Sequence, residues 1–523
     1  MKKINRKPLF YYSLLLFAAA LPFSVALISI AAALALIFAF VSSERNSWGD
    51  VFAERKYLLL IVSIYLIHAL GMLFCKDLAA GFYDLNKALP FLLVPLAFYV
   101  APKLTLVQLR NVMQLFSLAV FFSALITFCK FYWASDQLLL DAQFIGFIHH
   151  IRFSLMIVLA LSIQVYLLAT RWKVLGLWYI AATIGTGLFM LYFLFWQQSL
   201  TGIMTFWAVL LLAIVLFTLH KSSLKQRLVS VLLLGLLLVM PAFYLYRVID
   251  DFYRVDSVDS AQLPQQTALG NPYKHDLNNP FTENGHHIGL YFCESELRGA
   301  WNRRSTVAYD SLDENKYRIS DTLIRYLTSR NLTKDDEGVS RLSDEEILYI
   351  ESGVSNYLLA TRQLSLYPRL YVSVWEIDNF MKTGNSNNKS LAQRIEYLKA
   401  GSSIWKDHFW FGVGTGNWKA AYKQAYHDMG SEMDESQYAD AHNQYLAWLV
   451  RFGLIGAAAI LFLLAYPMIQ SGLFSNPLVL SFALILLISN LGDSNLDTHV
   501  GGYFFIFFYC LFYSNREQLK IES

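Results

Sequence analysis

A histidine and an asparagine lie where a polar, glycine-rich stretch meets an apolar helix. Residues 401–441 contain many polar side chains and several glycines, and Ala441-His442-Asn443 leads directly into QYLAWLVRFGLIG. An imidazole at such a boundary costs little, because its polar ring atoms can stay in water. A histidine also titrates near neutral pH, so it can act as an acid, a base or an anion contact. The pattern therefore predicts a polar site at the start of this helix.

The elements that position these residues are apolar helices. The chain has 523 residues, of which 56% are hydrophobic and 15% charged, whereas soluble proteins average about 25% charged residues. Apolar runs long enough to cross a bilayer recur at both ends of the chain. The four cysteines have no CxxC spacing, which indicates neither a disulfide framework nor a metal site. We expect an all-α, polytopic integral membrane protein, and no feature indicates nucleic-acid binding.

Hydropathy predicts about 12 transmembrane helices. Pro22 divides the first apolar run, which is either two spans or one kinked helix. The basic start MKKINRKPLF resembles a signal peptide, but we expect an uncleaved first helix because many spans follow. The predicted spans lie near residues 9–21, 24–41, 58–75, 88–101, 111–132, 152–170, 175–196, 202–219, 228–246, 443–469, 476–491 and 499–514.

Basic residues gather in alternate connections between these spans. Lysines and arginines are concentrated in residues 1–7, 42–57, 102–110, 171–174, 220–227 and the C-terminal tail. The positive-inside rule places these segments, and with them both termini, in the cytoplasm. The largest of the remaining connections, between spans 9 and 10, then faces the periplasm.

That large connection is predicted to be a mainly helical periplasmic domain. It holds 28 of the 39 acidic residues and 21 of the 42 basic ones, so its charge balance differs from that of the apolar remainder. Within it, Ser343 to Glu346 form a capping-box pattern and residues 391–407 are amphipathic. The predicted divisions are spans 1–9 in residues 1–246, the periplasmic domain in 247–441, spans 10–12 in 442–514 and a cytoplasmic tail in 515–523.

The sequence after residue 390 resembles the O-antigen ligase and polymerase superfamily. That pattern comprises S-x-x-x-R-x-x-x-x-x-A in a helix, a glycine-rich loop, H-N-x-Y-L at the start of a helix, and G-L-I-G within that helix. The corresponding residues here are Ser390, Arg394 and Ala400; Gly412, Gly414, Gly416 and Trp418; His442, Asn443, Tyr445 and Leu446; and Gly453 to Gly456. Outside roughly 390–460 the resemblance rests on the twelve-span plan with one large external loop.

The resemblance implies an inverting glycosyl transfer, independent of metals and cofactors, at the periplasmic face of the bacterial inner membrane. The donor would be a glycan on undecaprenyl diphosphate, a carrier embedded among the membrane lipids. The acceptor would be a hydroxyl of lipid A-core, of another lipid-linked glycan or of a protein. Ligases, polymerases and O-oligosaccharyltransferases of this superfamily differ in that acceptor.

Two residues suit the two needs of such a reaction. An arginine binds phosphate oxygens bidentately and stays charged, and a histidine can take the proton of the attacking hydroxyl. By family position we expect Arg394 to bind the diphosphate, His442 to activate the acceptor, and Asn443 to orient the imidazole or the substrate. Gly414 and Gly416 either help to cradle a phosphate or form a structural turn.

One departure from the family pattern concerns a second arginine. The family usually has S-R-T-G at the external end of a span, whereas this chain reads Ser199-Leu200-Thr201-Gly202. Arg152, in HHIRFS at the start of a neighbouring span, is the best replacement, although a headgroup anchor would explain it equally. Gln198 and Ser199 would offer neutral hydrogen bonds to the substrate.

Other charged residues near this helix have two interpretations. Arg451 is nine residues beyond His442, which places it on the opposite side of the helix, so we expect it to pair elsewhere. In the loop NLGDSNLDTH, Asp493, Asp497 and His499 either bind acceptor hydroxyls or cap and solvate the loop.

Alternatives to a glycan ligase remain at this point. A polymerase of the same superfamily would use the same chemistry. A polysaccharide transporter would carry its polar site near the membrane midplane, whereas these motifs lie at one face. A non-catalytic assembly component is made more credible by the leucine at position 200.

Overall fold

The structure is a computed structural model that describes residues 8–43, 54–133, 146–219, 223–314, 316–361 and 365–522. The predicted basic start 1–7 and parts of three predicted connections, 44–53, 134–145 and 220–222, lie outside these residues. The described chain is mostly helical, as the composition predicts, and its only named sheet is one two-stranded pair.

The described residues before position 254 contain ten named α-helices. They are α1 (Pro8–Ala20), α2 (Val25–Ser42), α3 (Leu58–Gly71), α4 (Leu78–Ala88), α5 (Pro90–Val100), α6 (Leu106–Trp133), α7 (His150–Arg171), α8 (Leu177–Trp196), α9 (Leu200–Leu219) and α10 (Leu224–Tyr253). The first apolar run forms two helices, because α1 ends before Pro22 and the Ser24 hydroxyl caps α2 by accepting a hydrogen bond from the Leu27 N–H.

Further helices follow in two groups. The first group is α11 (Glu294–Arg304), α12 (Ile319–Ser329), α13 (Asp336–Ser340), α14 (Asp344–Glu351), α15 (Tyr357–Thr361) and α16 (Tyr367–Thr383). The second is α17 (Ser390–Asp407), α18 (Trp418–Asp428), α19 (Gln444–Gln470), α20 (Pro477–Gly492), α21 (His499–Ser514) and α22 (Arg516–Glu522).

Seven helices in the described part of the chain are long and apolar enough to cross a membrane. They are α2, α6, α7, α8, α9, α10 and α19. Shorter apolar helices occur at α1, 58–74, α20 and α21. A helical membrane protein is therefore confirmed, while twelve crossings and a periplasmic domain stay predictions.

The chain divides into two compact units. Unit 1 comprises Met1–Phe131, Ala142–Leu234 and Thr383–Ser523, and unit 2 comprises Tyr132–Asp141 and Gly235–Lys382. The predicted divisions at residues 246 and 441 concern the side of the membrane rather than compactness, so they stay predictions.

Unit 1 surrounds α21. Every residue of that helix from Gly501 to Ser514 is buried, as is typical of a helix that is apolar on all sides. It packs on α5, and its phenylalanines contact Phe116 of α6 and Phe482 of α20. Beside it, α20 packs on α7 and α9, and α19 packs on α3 and α17.

A break in α19 holds the glycine-rich loop. Gly453 interrupts the helix with a φ of 63°, so nearby backbone groups are free to pair with residues 409–414. The N–H groups of Val413 and Gly414 donate to the carbonyls of Val450 and Arg451, and the Leu454 N–H donates to the Phe409 carbonyl. A Cβ at Gly453 would lie 2.2 Å from the Trp410 carbonyl carbon, so this approach requires glycine. The sequence predicted one continuous helix here.

Unit 2 has its own small core. Trp301, Tyr326 and Leu327 are fully buried among residues of α11, α12 and α14. The predicted capping box of Ser343 and Glu346 forms at the start of α14. A short antiparallel pair, β1 (Thr282–Glu283) and β2 (His286–His287), is joined by Asn284-Gly285, both with positive φ.

Candidate active site

His442 is held at the N-terminus of α19 in a strained conformation. Its φ is 44°, a region that non-glycine residues adopt uncommonly and that often marks functional sites. The side chain of the next residue, Asn443, caps the helix by accepting from the Leu446 N–H at 3.0 Å. The Asn443 amide also donates to the Leu491 carbonyl at 3.0 Å. Asn443 therefore joins the start of α19 to the end of α20.

Asp493, directly after α20, is the partner of His442. The distance from Nδ1 of His442 to Oδ1 of Asp493 is 3.1 Å. A carboxylate accepts hydrogen bonds only, so this contact assigns the proton to Nδ1 and leaves the lone pair on Nε2. The His442 side chain is 36% exposed and that of Asp493 is 5% exposed. The pair thus has an accessible imidazole and a buried carboxylate.

The Asp493 carboxylate stays ionised. Burial alone would raise its pKa, but the hydrogen bond to His442 and the charge of Arg152 outweigh burial and lower the pKa to about 2. Nη2 of Arg152 lies 2.6 Å from Oδ2 of Asp493. The Ser494 N–H donates to Oδ1 at 2.8 Å. Asp493 is therefore the central member of a chain from His442 to Arg152.

Arg152 reaches this chain from the first turn of α7. Its side chain is 13% exposed, and Nη1 lies 3.2 Å from Nδ1 of His149. Burial, and then the positive charge of Arg152, lower the pKa of His149, which favours the neutral imidazole. Nε of Arg152 is buried and has no hydrogen-bond partner among the described residues. The guanidinium is thus oriented by Asp493 and keeps a free donor.

Arg394, on α17, lies beside the same turn. A Cβ added at Gly492 would be 4.0 Å from Nη1 of Arg394 and 3.8 Å from the hydroxyl oxygen of Thr201. Within the described residues the Arg394 side chain has no ion pair and no hydrogen bond, and the residue is half-buried. One turn further along α17, the ring of Tyr397 lies 5.4 Å from that of His442. The carboxylate of Glu396, two residues after Arg394, accepts a hydrogen bond from the Ser431 hydroxyl.

The segment that lacks the family arginine lies against α7. The hydroxyls of Ser199 and Ser154 are 3.0 Å apart, and a Cβ at Gly202 would lie 2.4 Å from the Ser154 side chain. Gln198 has a φ of 53°. Leu200 is the first residue of α9. The Ser199 side chain therefore takes part in the close packing between α7, which carries Arg152 in its first turn, and α9, which begins at Leu200.

Gly414 and Gly416 use their amides within the protein. The Gly414 N–H donates to the Arg451 carbonyl at 2.8 Å, and the Gly416 N–H donates to the Asp84 carboxylate at 3.0 Å. A Cβ at Gly416 would lie 2.7 Å from the amide nitrogen of Gly81. A tight structural turn, one of the two interpretations from the sequence, accounts for both glycines. Their contact with a substrate stays a prediction.

Arg451 forms a separate buried cluster, as predicted from its helical position. Its Nη1 lies 2.8 Å from Oδ2 of Asp497, and both side chains are 8% exposed. Its guanidinium lies 4.9 Å from the ring of Trp418, whose indole N–H donates to Asp84. We name Arg451, Asp497, Trp418 and Asp84 the Arg451 cluster. The guanidinium of Arg451 is thus paired with a carboxylate, whereas that of Arg394 has no ion pair among the described residues.

The predicted residues Arg394, His442, Asn443 and Arg152 therefore converge on the turn at Gly492-Asp493. The sequence did not single out Asp493 as the histidine's partner or Tyr397 as its neighbour, although the acidic loop NLGDSNLDTH signalled a carboxylate at that level. Among the described residues no group of three or more His, Cys, Asp or Glu side chains is placed to hold a metal ion.

Part of the site lies in the segment of the chain that matches a known family. Apolar helices and a polar site where several helix ends meet define the class, a helical membrane protein with a polar site. Residues 348–461 match the O-Antigen ligase family, which confirms the resemblance to the O-antigen ligase and polymerase superfamily. The match includes Arg394, the glycine-rich loop and His442 but not Asp493 or Arg152. No curated protein matches the chain.

Proposed function

We propose that this protein is a glycosyltransferase of the O-antigen ligase type, which moves a glycan from undecaprenyl diphosphate to an acceptor hydroxyl. The observation that carries the proposal is the chain from His442 through Asp493 to Arg152, beside which lies the guanidinium of Arg394, with no ion pair among the described residues. A general base and two cations in one place are what transfer from a diphosphate requires. The family match over residues 348–461 supports the same chemistry.

In the proposed reaction His442 acts as the general base. Nε2 takes the proton of the acceptor hydroxyl as its oxygen attacks the anomeric carbon from the side opposite the leaving group. The resulting imidazolium is stabilised by the ionised carboxylate of Asp493, which also holds the ring in the required tautomer. A single displacement of this kind inverts the anomeric configuration, and it requires neither a metal ion nor a cofactor.

The two arginines act on the leaving group. As the bond from the anomeric carbon to the phosphate oxygen breaks, undecaprenyl diphosphate leaves with the electron pair. Arg394 is the proposed diphosphate ligand, since no protein carboxylate occupies its guanidinium among the described residues. Arg152 is the proposed replacement for the family arginine that is missing at Leu200. Asn443 and the Gln198-Ser199 pair would provide neutral contacts.

The lipid tail of the donor would lie against α19 and α20. A cavity of about 160 Å³, lined mainly by apolar residues of these two helices, has Tyr445 and Asn490 in its wall. Both residues are close in sequence to the site residues His442 and Asp493. An apolar groove of this size would hold a short part of a polyprenyl chain.

The proposed setting is the bacterial inner membrane. Both termini would be cytoplasmic, and the site and residues 247–441 would face the periplasm, with twelve spans in total. The acceptor would be lipid A-core or a protein for a ligase, and another lipid-linked glycan for a polymerase. The two differ only in the acceptor.

The test is a transfer assay with purified protein in nanodiscs. An undecaprenyl diphosphate-linked oligosaccharide is incubated with lipid A-core, lipid-linked glycan and protein acceptors, and released undecaprenyl diphosphate is measured. We expect acceptor-dependent release that Arg394→Ala lowers by roughly 10²–10³-fold, while Arg341→Ala, at an exposed arginine of unit 2, has no effect. The productive acceptor separates ligase from polymerase. Release that persists in both His442→Ala and Arg394→Ala would contradict the site, and no release with any acceptor would favour a non-catalytic role.

A further inference from the structure

Unit 2 contains a polar pocket that the transfer site does not use. Its volume is about 490 Å³, and its wall consists of residues from 256–263, 286–291 and 328–334. Small-molecule sites commonly have volumes of about 300–1,000 Å³. The pocket is therefore large enough for one or two sugar rings or a molecule of similar size.

The wall carries hydrogen-bonding groups of both kinds. Asp256 and Asp259 provide carboxylates, and Gln262 and Asn331 provide amides. Nδ1 of His286 lies 2.7 Å from Oδ2 of Asp256, which orients that imidazole at the pocket. The Asn331 side chain makes no hydrogen bond within the described residues. A ligand that both donates and accepts would satisfy such a wall.

Two buried groups in the wall are incompletely satisfied. Nδ1 of His287 is buried and has no hydrogen-bond partner among the described residues. The ammonium of Lys334, a residue that is 2% exposed, donates to the carbonyls of His287 and Leu290 and pairs with no carboxylate of the described residues. Burial lowers the pKa of Lys334 to about 8. Buried polar groups normally have partners, so these two groups retain hydrogen-bonding capacity that a ligand can use.

The backbone of the wall is strained at two positions. Tyr291 and Asn331 have φ values of 54° and 53°. Positive φ is tolerated by asparagine but is a clear outlier for a tyrosine. Such conformations persist where the surrounding structure enforces them, and they cluster at ligand-binding sites.

We propose that this pocket binds neutral sugar residues of a glycan. Its two carboxylates outnumber the single ammonium of Lys334 and so disfavour an anion such as phosphate, and its polar wall disfavours an apolar ligand. Leu263, Leu290 and Leu332 lie among the polar groups and can cover the C–H face of a pyranose ring. That this glycan is the donor or the acceptor of the transfer rests on the proposed function, whereas its binding does not.

The test is a binding measurement on the full chain in nanodiscs, without donor lipid. A glycan array that carries neutral, amino and acidic oligosaccharides identifies ligands, and the strongest neutral one is titrated by calorimetry. Asn331→Gly removes the pocket amide while keeping a residue that tolerates positive φ. Asn278→Gly makes the same change at an exposed asparagine of unit 2 outside the pocket. Asp259→Asn is a second pocket variant if Asn331→Gly does not fold.

We expect the wild type to bind a neutral glycan, the pocket variant to bind it at least about tenfold more weakly, and Asn278→Gly to bind as the wild type. Binding should persist in His442→Ala, which separates this site from the transfer reaction. The proposal is overturned if the wild type binds no neutral glycan, if inorganic phosphate or only acidic glycans bind, or if the folded pocket variant binds equally well. A wild-type protein that binds the neutral glycan in this pocket but transfers glycan to no acceptor would contradict the proposed function alone.

Discussion

The loop between α20 and α21 carries two carboxylates, four residues apart, whose surroundings differ. Asp497 pairs with Arg451 inside a buried cluster in which both side chains are 8% exposed. Asp493 pairs with Arg152 on one side and on the other with His442, whose ring is 36% exposed. The first ion pair is enclosed by protein, and the second ends at a group that can reach a substrate.

The difference separates structural from chemical use of charge. A buried ion pair is costly to form and very costly to break, but it can fix one arrangement of the surrounding loops. The Arg451 cluster joins α4, α18, α19 and the loop after α20 in this way. In contrast, the His442 site keeps a strained histidine and, in Arg394, an arginine with no ion pair among the described residues, and neither adds anything evident to stability. Substitutions at the His442 site should therefore lower activity with little change in stability. Substitutions in the Arg451 cluster should lower stability with little change in the activity of the folded protein.

The largest effect is expected on turnover in His442→Ala. Loss of the general base should lower kcat by roughly 10²–10⁴-fold with little change in melting temperature, because the ring is partly exposed. Release of undecaprenyl diphosphate measures the first quantity and tryptophan fluorescence the second. His408→Ala, at an exposed histidine after α17, is the matched control. A His442→Ala variant with a lowered melting temperature and a normal kcat would instead give His442 a structural role.

Next in size is the loss of stability in Arg451→Met. This change leaves Asp497 buried without its partner, which costs about 3–5 kcal/mol, while the protein that remains folded should keep its kcat. Thermal unfolding in nanodiscs measures the change. The double variant Arg451→Met/Asp497→Leu should regain much of the melting temperature, since no lone charge is left. A stable Arg451→Met variant with greatly lowered kcat would place Arg451 in the chemistry instead.

A smaller loss of activity is expected in Asp493→Asn, roughly 10²-fold in kcat. The amide cannot stabilise the imidazolium, and its NH₂ group would face Arg152. The pKa of Asp493 is depressed to about 2, so its contribution to stability is present above its ordinary value of 3.8 and is lost only as the pH falls through 2. The kcat of the wild type between pH 5 and 8 should therefore show no titration of Asp493. A pH-dependent change in kcat between pH 5 and 8 that disappears in Asp493→Asn would contradict this expectation.

The smallest effect concerns the missing arginine. In an Arg152→Ala background, Leu200→Arg should restore turnover by about three- to tenfold, because Ser199 and Ser154 bring the start of α9 against α7 near Arg152. Leu200→Lys offers the charge without the bidentate fork and should restore less. Transfer assays on the four combinations of these positions measure the effect. Equal activity of Arg152→Ala with and without the new arginine would argue that Arg152 serves only to orient Asp493.

Local signals predicted much of the fold. The apolar runs correspond to helices in the described chain, Pro22 separates α1 from α2, and Asn443 caps α19 where the motif His442-Asn443 predicted a boundary. The break at Gly453 was not predicted, because G-L-I-G lies inside an unbroken apolar run. Its cause is the docking of residues 409–414, which is a contact between segments about 40 positions apart.

The sequence by itself determined the class of protein, the helices and the residue types suited to phosphate and proton chemistry, since these follow from composition, periodicity and short motifs. Only the tertiary structure decided that Asp493 pairs with His442 across 51 positions, that Arg152 completes that chain from α7, and that Arg451 belongs to another cluster. The physical reason is that helix packing brings together the ends of α7, α17, α19 and α20, and no local pattern records which ends will meet.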